Sequence, residues 1–176
     1  THEPGGTPLG EGIRGLFKER RYAASDGLVE LMLVFASRRQ HLLEVIEPAL
    51  ARGEAVLCDR FTDSTFAYQG AGRGVPGEAI AVLDRLATAT RRPDRTLLFD
   101  LPAAAARARG ATRRRRRGER IDRLDAEQLA FYEPVREGFL ALARAEPERI
   151  RVLDASGPVA ATAAAVRSAL ADLWPE

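Results

Sequence analysis

Ala55-Val56-Leu57-Cys58-Asp59-Arg60 is an apolar run that stops abruptly at a carboxylate and a guanidinium. A short continuous apolar run reads as a strand buried on both faces, the kind that parallel sheets use. Two further runs share this character: 96–101, with Asp100 near its end, and 151–154, ending in Asp154. Helical stretches separate them. From 28 to 50 apolar residues recur at helical spacing (Leu31, Val34, Phe35, Leu42, Val45, Ile46, Ala49), with Pro48 placed to kink that helix and Gly53 to end it. Helices are also expected over 9–17, 64–69, 76–89, 103–109, 126–145 and 159–173, and loops over 21–27, 70–74 and 110–120. Strands alternating with helices predict an α/β fold, a parallel sheet covered by helices on both faces in three layers.

Composition sets outer bounds. A chain of 176 residues suits a single domain spanning 1–176. With 45% apolar and 30% charged residues it has the balance of a globular protein rather than a disordered one. No apolar run reaches the roughly 20 residues a membrane-spanning helix needs. Cys58 is the one cysteine, so an internal disulfide is excluded and a reducing, cytoplasmic compartment is expected. The net charge of +2 hides a strong local field: Arg113 to Arg117 run unbroken and are followed by Arg120 and Arg123. Such a run reads as a nucleic-acid contact, as a solvated loop, or as a lid closing over phosphates. Phe131 and Tyr132 read as helix core, so no stacking platform interleaves with the arginines.

Ligands of open parallel sheets bind beyond the carboxyl ends of the strands. Asp59 and Arg60 stand at such an end. The carboxylate suits Mg²⁺, directly or through water, and the guanidinium fork suits phosphate; a surface ion pair is the alternative. Tyr68 and Gln69 follow about two helical turns later and fit the same crevice, although Tyr68 alone reads as core. Arg38 and Gln40 interrupt the apolar helix, either as a base-reading group or as part of a solvent face. Arg14 alone reads as a surface charge. The glycines at 70–74 lack phosphate-loop spacing. His2 and His41 are far apart in the chain and Cys58 is solitary, so no metal-ligand cluster is expected.

Several long segments, in order, resemble bacterial thymidylate kinases. They are Thr1-His2-Glu3-Pro4-Gly5-Gly6-Thr7, Phe35-Ala36-Ser37-Arg38-Arg39-Gln40-His41, 45–53, Cys58-Asp59-Arg60 continuing through Tyr68-Gln69 to Gly74, 92–102, and Asp122-Arg123-Leu124. The resemblance implies a P-loop NTPase-like fold and transfer of the γ-phosphoryl group of ATP to dTMP, giving dTDP, with Mg²⁺. It implies that Arg14 and Arg60 hold the dTMP phosphate and that Arg38 bonds the thymine edge. It places Thr65 and Gln69 around the base, Tyr68 beside the deoxyribose, and Glu3 and Phe35 on the substrate side. Asp59 falls where the family has its acidic residue near the metal. A lid at about 107–124 is implied, with Arg123 as the arginine offered to the transferring phosphoryl group. A homodimer through helices is implied too, with 28–50 as a candidate face.

The sequence also departs from that pattern. The family opens with a strand, a Gly-x-x-x-x-Gly-Lys-Ser/Thr loop and a helix, and the one lysine here, Lys18, lies in no such loop. The expectation is therefore an N-terminally truncated chain without the first central strand and the P-loop, folding poorly alone and inactive as it stands. Val34 holds the usual place of the base-stacking phenylalanine, with Phe35 one residue later; His2 replaces an arginine and Leu124 an aromatic residue. Two other readings stand beside the enzyme: an inactive dTMP-binding remnant, and a nucleic-acid-binding protein acting through the arginine run.

Overall fold

The computed structural model describes residues 1–22, 25–118, 127 and 129–173. In chain order its elements are α1 (Pro8–Lys18), α2 (Gly27–His41), α3 (Glu47–Ala51), α4 (Thr62–Thr65), α5 (Gly77–Thr88), β1 (Thr96–Asp100), α6 (Ala103–Arg117), α7 (Leu129–Ala145), β2 (Ile150–Asp154) and α8 (Val159–Leu170). Local chemistry sets the helix starts. Thr7 caps α1 by accepting from the Gly10 amide, with Pro8 at the first helical position, and Asp26 caps α2 by accepting from the Leu28 amide. The proline at 48 acts upstream of itself. Its missing N–H and its ring crowd the preceding turn, and the chain widens into a π turn over Leu42–Ile46 before continuing as α3.

β1 and β2 pair in parallel from Thr96 opposite Ile150 to Asp100 opposite Asp154. α6 and α7 lie between them in the chain, α7 packs on both strands, and α8 packs on β2. The main buried cluster joins Leu31 and Phe35 of α2 to Ile80 and Ala87 of α5, and a second joins Ile13 and Phe17 of α1 to Val34. Ion pairs tie the amino ends of both strands to the segment before them. Arg149 grips both carboxylate oxygens of Asp63 at 2.8 Å and also donates to Thr96 and Glu146.

Three expectations are corrected. Residues 55–58 form no regular element and join no ladder, and Leu57 is 76% exposed. An apolar run becomes a strand only where a neighbour offers backbone partners, and among the described residues only the opening ones do so here. The Asp59 amide donates to the Thr1 carbonyl at 3.0 Å and the Glu3 amide to the Asp59 carbonyl at 2.9 Å. Residues 110–117 are helical rather than a loop. Arginine and alanine are strong helix formers, and Gly118, at φ +64°, supplies the left-handed cap. The helix from Thr62 does not stop at the glycines: it widens into a π turn over Phe66–Gly72, where Gly70 and Gly72 lie within it.

Gly72 marks the closest approach of that turn to α7. A Cβ there would lie 2.7 Å from the Phe131 ring and 2.8 Å from Val135. The contact also sets where α7 presents its aromatic residues. Gly72→Ala is therefore expected to destabilise the fold by about 1–3 kcal/mol, read as a lower urea midpoint at unchanged slope.

Candidate functional site

Two adjoining cavities lie at the carboxyl end of β1 and beside α2, of about 660 Å³ and 370 Å³. Arg60, Tyr68, Arg113 and Tyr132 line both. Both volumes fall in the ordinary range for small-molecule sites.

The smaller cavity gathers most residues expected from the sequence: Glu3, Arg14, Arg38, Asp59, Arg60, Thr65, Tyr68 and Gln69. Periodicity explains the α2 wall. Positions 30, 34 and 38 fall on one helix face, so Glu30, Val34 and Arg38 reach the cavity together. Phe35 does not line it. Its ring is 4% exposed, packs in the α2–α5 core, and lies beneath the Arg38 guanidinium at 4.8 Å. The place beside the ligand space belongs to Val34.

Arg38 is 1% exposed, so it lies on no solvent face. Phe35 and Phe61 flank its guanidinium, the latter at 5.0 Å. Its Nε donates to Glu3 Oε2 at 2.7 Å and its Nη2 to Thr65 Oγ1 at 3.1 Å. Its Nη1 is buried and has no partner among the described residues. Gln69 Nε2 donates to Glu30 Oε2 at 3.3 Å, turning the amide from within the wall.

At the other end, Arg14 donates to the Pro4 carbonyl at 3.1 Å. Arg60 stands at φ +72°, a left-handed conformation that costs a non-glycine residue of order 1–3 kcal/mol. The sharp turn sets its guanidinium over the Tyr68 ring at 4.9 Å, open to both cavities. Crowding works against its charge, but Tyr68 and Asp59 outweigh that and hold it above the usual arginine range. The Asp59 side chain is exposed on the cavity edge and accepts no hydrogen bond from a described residue.

The expectation that no metal-ligand cluster exists is also corrected. Glu3, His41 and Cys58 bring one donor atom each within 4.8 Å of one another. The donors are already committed. Glu3 holds Arg38 and His41, and burial together with the Glu3 carboxylate pushes the Cys58 thiol up to about 12, so it stays protonated. Tyr132, read as core, packs against the Ala67–Phe131–Val135 cluster and also lines both cavities, and Phe131 is both core and cavity wall. Glu30 and His41 join the site without having been expected there. Their signal is the helical spacing to Arg38, which lies eight residues after Glu30 and three before His41. Arg113 and Arg114 of α6 reach the larger cavity, whereas Arg123, Arg120 and Leu124 lie outside the described residues.

A parallel sheet with an arginine-walled cleft beyond its strand ends defines a nucleotide-binding α/β protein. A family model described as thymidylate kinase matches residues 1–166. The thymidylate kinase of Pseudomonas savastanoi pv. phaseolicola is 50% identical over 173 residues, covering 98% of this chain and 80% of that protein. That of Pseudomonas putida (strain W619) is 49% identical over 170 residues, covering 97% and 80%. The crystal structure of thymidylate kinase from Ehrlichia chaffeensis matches with a TM-score of 0.72 at 32% identity, covering 96% of this chain and 77% of that one. The chain belongs to the thymidylate kinase family, phosphotransferases with the P-loop NTPase fold.

On the floor of the larger cavity, Arg136 holds both oxygens of Asp100 at 2.7 and 2.8 Å. This keeps the carboxyl below its usual range, against partial burial and the neighbouring Asp154. A depressed folded value means that stability from this pair is present above the unfolded value of about 3.9 and is lost as pH falls through the lower, folded one. The stability gap between wild type and Asp100→Asn, followed by urea unfolding, should thus be full at neutral pH and shrink below about pH 4.

Proposed function

We propose that the smaller cavity is the dTMP site of a kinase that phosphorylates dTMP to dTDP with ATP as donor and Mg²⁺. The unpartnered, buried Nη1 of Arg38 carries this reading. A charged donor left unmet inside protein costs several times an ordinary hydrogen bond's net gain. Arg38 lines the cavity, so a ligand carbonyl that reaches its guanidinium would supply the missing acceptor. Arg14 and Arg60 line the same cavity, where a phosphate would find two cations. Base, sugar and phosphate would then lie along one wall, with Tyr68 beside the sugar. No helix among the described residues is long and apolar enough to cross a membrane.

Phosphoryl transfer asks a protein mainly for positioning and for charge against the transferring group. Arg14 and Arg60 hold the acceptor phosphate, and Arg60 reaches into both cavities. Arg107, Arg113 and Arg114 line the larger cavity and offer three cations to phosphate oxygens of a donor. An acceptor-phosphate oxygen attacks the terminal phosphorus of the donor, the bond to the leaving ADP breaks, and Arg60 and Arg113 offset the charge in flight. Asp59, exposed and without a hydrogen-bonding partner among the described residues, fits a role in holding Mg²⁺ through water. Bound there, the cation supplies positive charge to the phosphoryl oxygens.

The test is calorimetric titration with dTMP and with thymidine. The wild-type chain should bind dTMP. Arg60→Met should weaken dTMP about tenfold or more, from the loss of a charge-assisted contact, and leave thymidine unchanged. Equal loss for both ligands would remove Arg60 from the phosphate end.

A homodimer is part of the same proposal. α2 exposes Val29 and Met32, and α5, packed beside it, exposes Val82 and Leu86, the last at 72%. Isolated exposed apolar residues are ordinary, but an i, i+3 or i, i+4 pair on each of two adjacent helices makes a surface suited to a second copy. Met32→Glu combined with Leu86→Glu should shift sedimentation from dimer to monomer; an unchanged dimer would place the interface elsewhere.

A further inference from the structure

Arg38 must offer Nη1 in one direction to read a base. The rings of Phe35 and Phe61 fix the plane of its guanidinium. Rotation within that plane is set by its two hydrogen bonds, and the shorter is to Glu3. Glu3 sits on the opening turn, outside any helix or strand, and a carboxylate there has no regular structure to hold it. Its second oxygen lies 2.9 Å from Nδ1 of His41, which is fully buried. The other ring nitrogen, Nε2, lies 2.6 Å from Thr1 Oγ1. Gly6, at φ +77°, leaves room for the ring: a Cβ there would stand 2.7 Å from it. Since a carboxylate only accepts, Nδ1 carries the proton that Glu3 receives, and Nε2 pairs with the Thr1 hydroxyl.

We infer that His41 is a positioning residue for base recognition: it acts through Glu3 on Arg38 and sets affinity for the nucleobase without touching the ligand. The inference rests on the dTMP reading of the cavity. It makes a demand that a merely structural histidine does not. Loss of the Nδ1 donor should weaken the part of binding due to the base and spare the part due to the phosphate.

The test titrates dTMP and 2-deoxyribose 5-phosphate, which lacks the base, into wild type, His41→Gln and His41→Asn. An asparagine amide stands near the ring's Nδ1 and keeps a donor to Glu3; a glutamine amide stands near Nε2 and leaves Glu3 without one. His41→Gln should bind dTMP about tenfold more weakly, the scale of one charge-assisted hydrogen bond, with 2-deoxyribose 5-phosphate unchanged. His41→Asn should stay near wild type for both. If His41→Gln loses its fold by circular dichroism, His41→Leu takes its place with the same expectation. Unchanged dTMP affinity in the donorless variant, or equal loss for both ligands, overturns the inference while leaving the site standing. A wild-type chain that binds dTMP no better than 2-deoxyribose 5-phosphate overturns both.

Discussion

The buried ion pair between Glu3 and Arg38 is the interaction on which the site depends. Both side chains are 2% exposed and meet at 2.7 Å. Through this contact the irregular opening turn is fastened to α2, and through Arg38 Nη2 to Thr65 at the end of α4. Such a pair gains little over an apolar contact of the same volume, because desolvating both charges offsets their attraction. Removing either partner alone, however, strands a buried charge at a cost of about 3–5 kcal/mol. Positioning therefore explains the pair better than stability does. It holds a guanidinium rigidly against two aromatic rings with one donor left over.

Around this anchor the backbone breaks its usual rules where ligand space is needed. Arg60 takes a left-handed conformation without being glycine. The π turn over Phe66–Gly72 places Tyr68 and Gln69 on the cavity side, and π turns recur at functional sites because they re-aim side chains without ending a helix. Gly72 allows the π turn to meet α7 at a distance no side chain would permit. Tyr68, Phe131 and Phe139 then close one wall, with ring centroids about 6 Å apart.

The two cavities share one boundary, made by Arg60, Tyr68, Tyr132 and Arg113. Two arginines and two tyrosines thus stand between the two spaces. Arg113 comes from α6, a helix tied at Arg109 to the Ala155 and Ser156 carbonyls beyond β2. The first two arginines of the run, Arg113 and Arg114, are thus part of a cavity wall.

Asp59 and Arg60 are legible in the amino-acid sequence because an apolar run ending in opposite charges is a local pattern, and both lie in the site. The alternation of helices with strands is legible from periodicity, and the strands at 96–100 and 150–154 follow from it. Pairing is not legible: 55–58 has the composition of a strand but, among the described residues, meets backbone partners only in residues 1–3, and a ladder is a property of two segments. The arginines at 113–117 suggest a solvated loop by their charge, while their helix propensity decides the backbone. Phe35 and Val34 differ by one residue, which is 100° around a helix, and only the packing of α2 against α5 settles which lines the cavity. The sequence by itself determined most of the helices, the strands at 96–100 and 150–154, the family pattern and the charged residues available, since these depend on neighbours in the chain. Tertiary structure alone decided that Glu3, Arg38, His41 and Thr65 meet, because hydrogen bonds between residues up to 38 positions apart depend on how the helices pack.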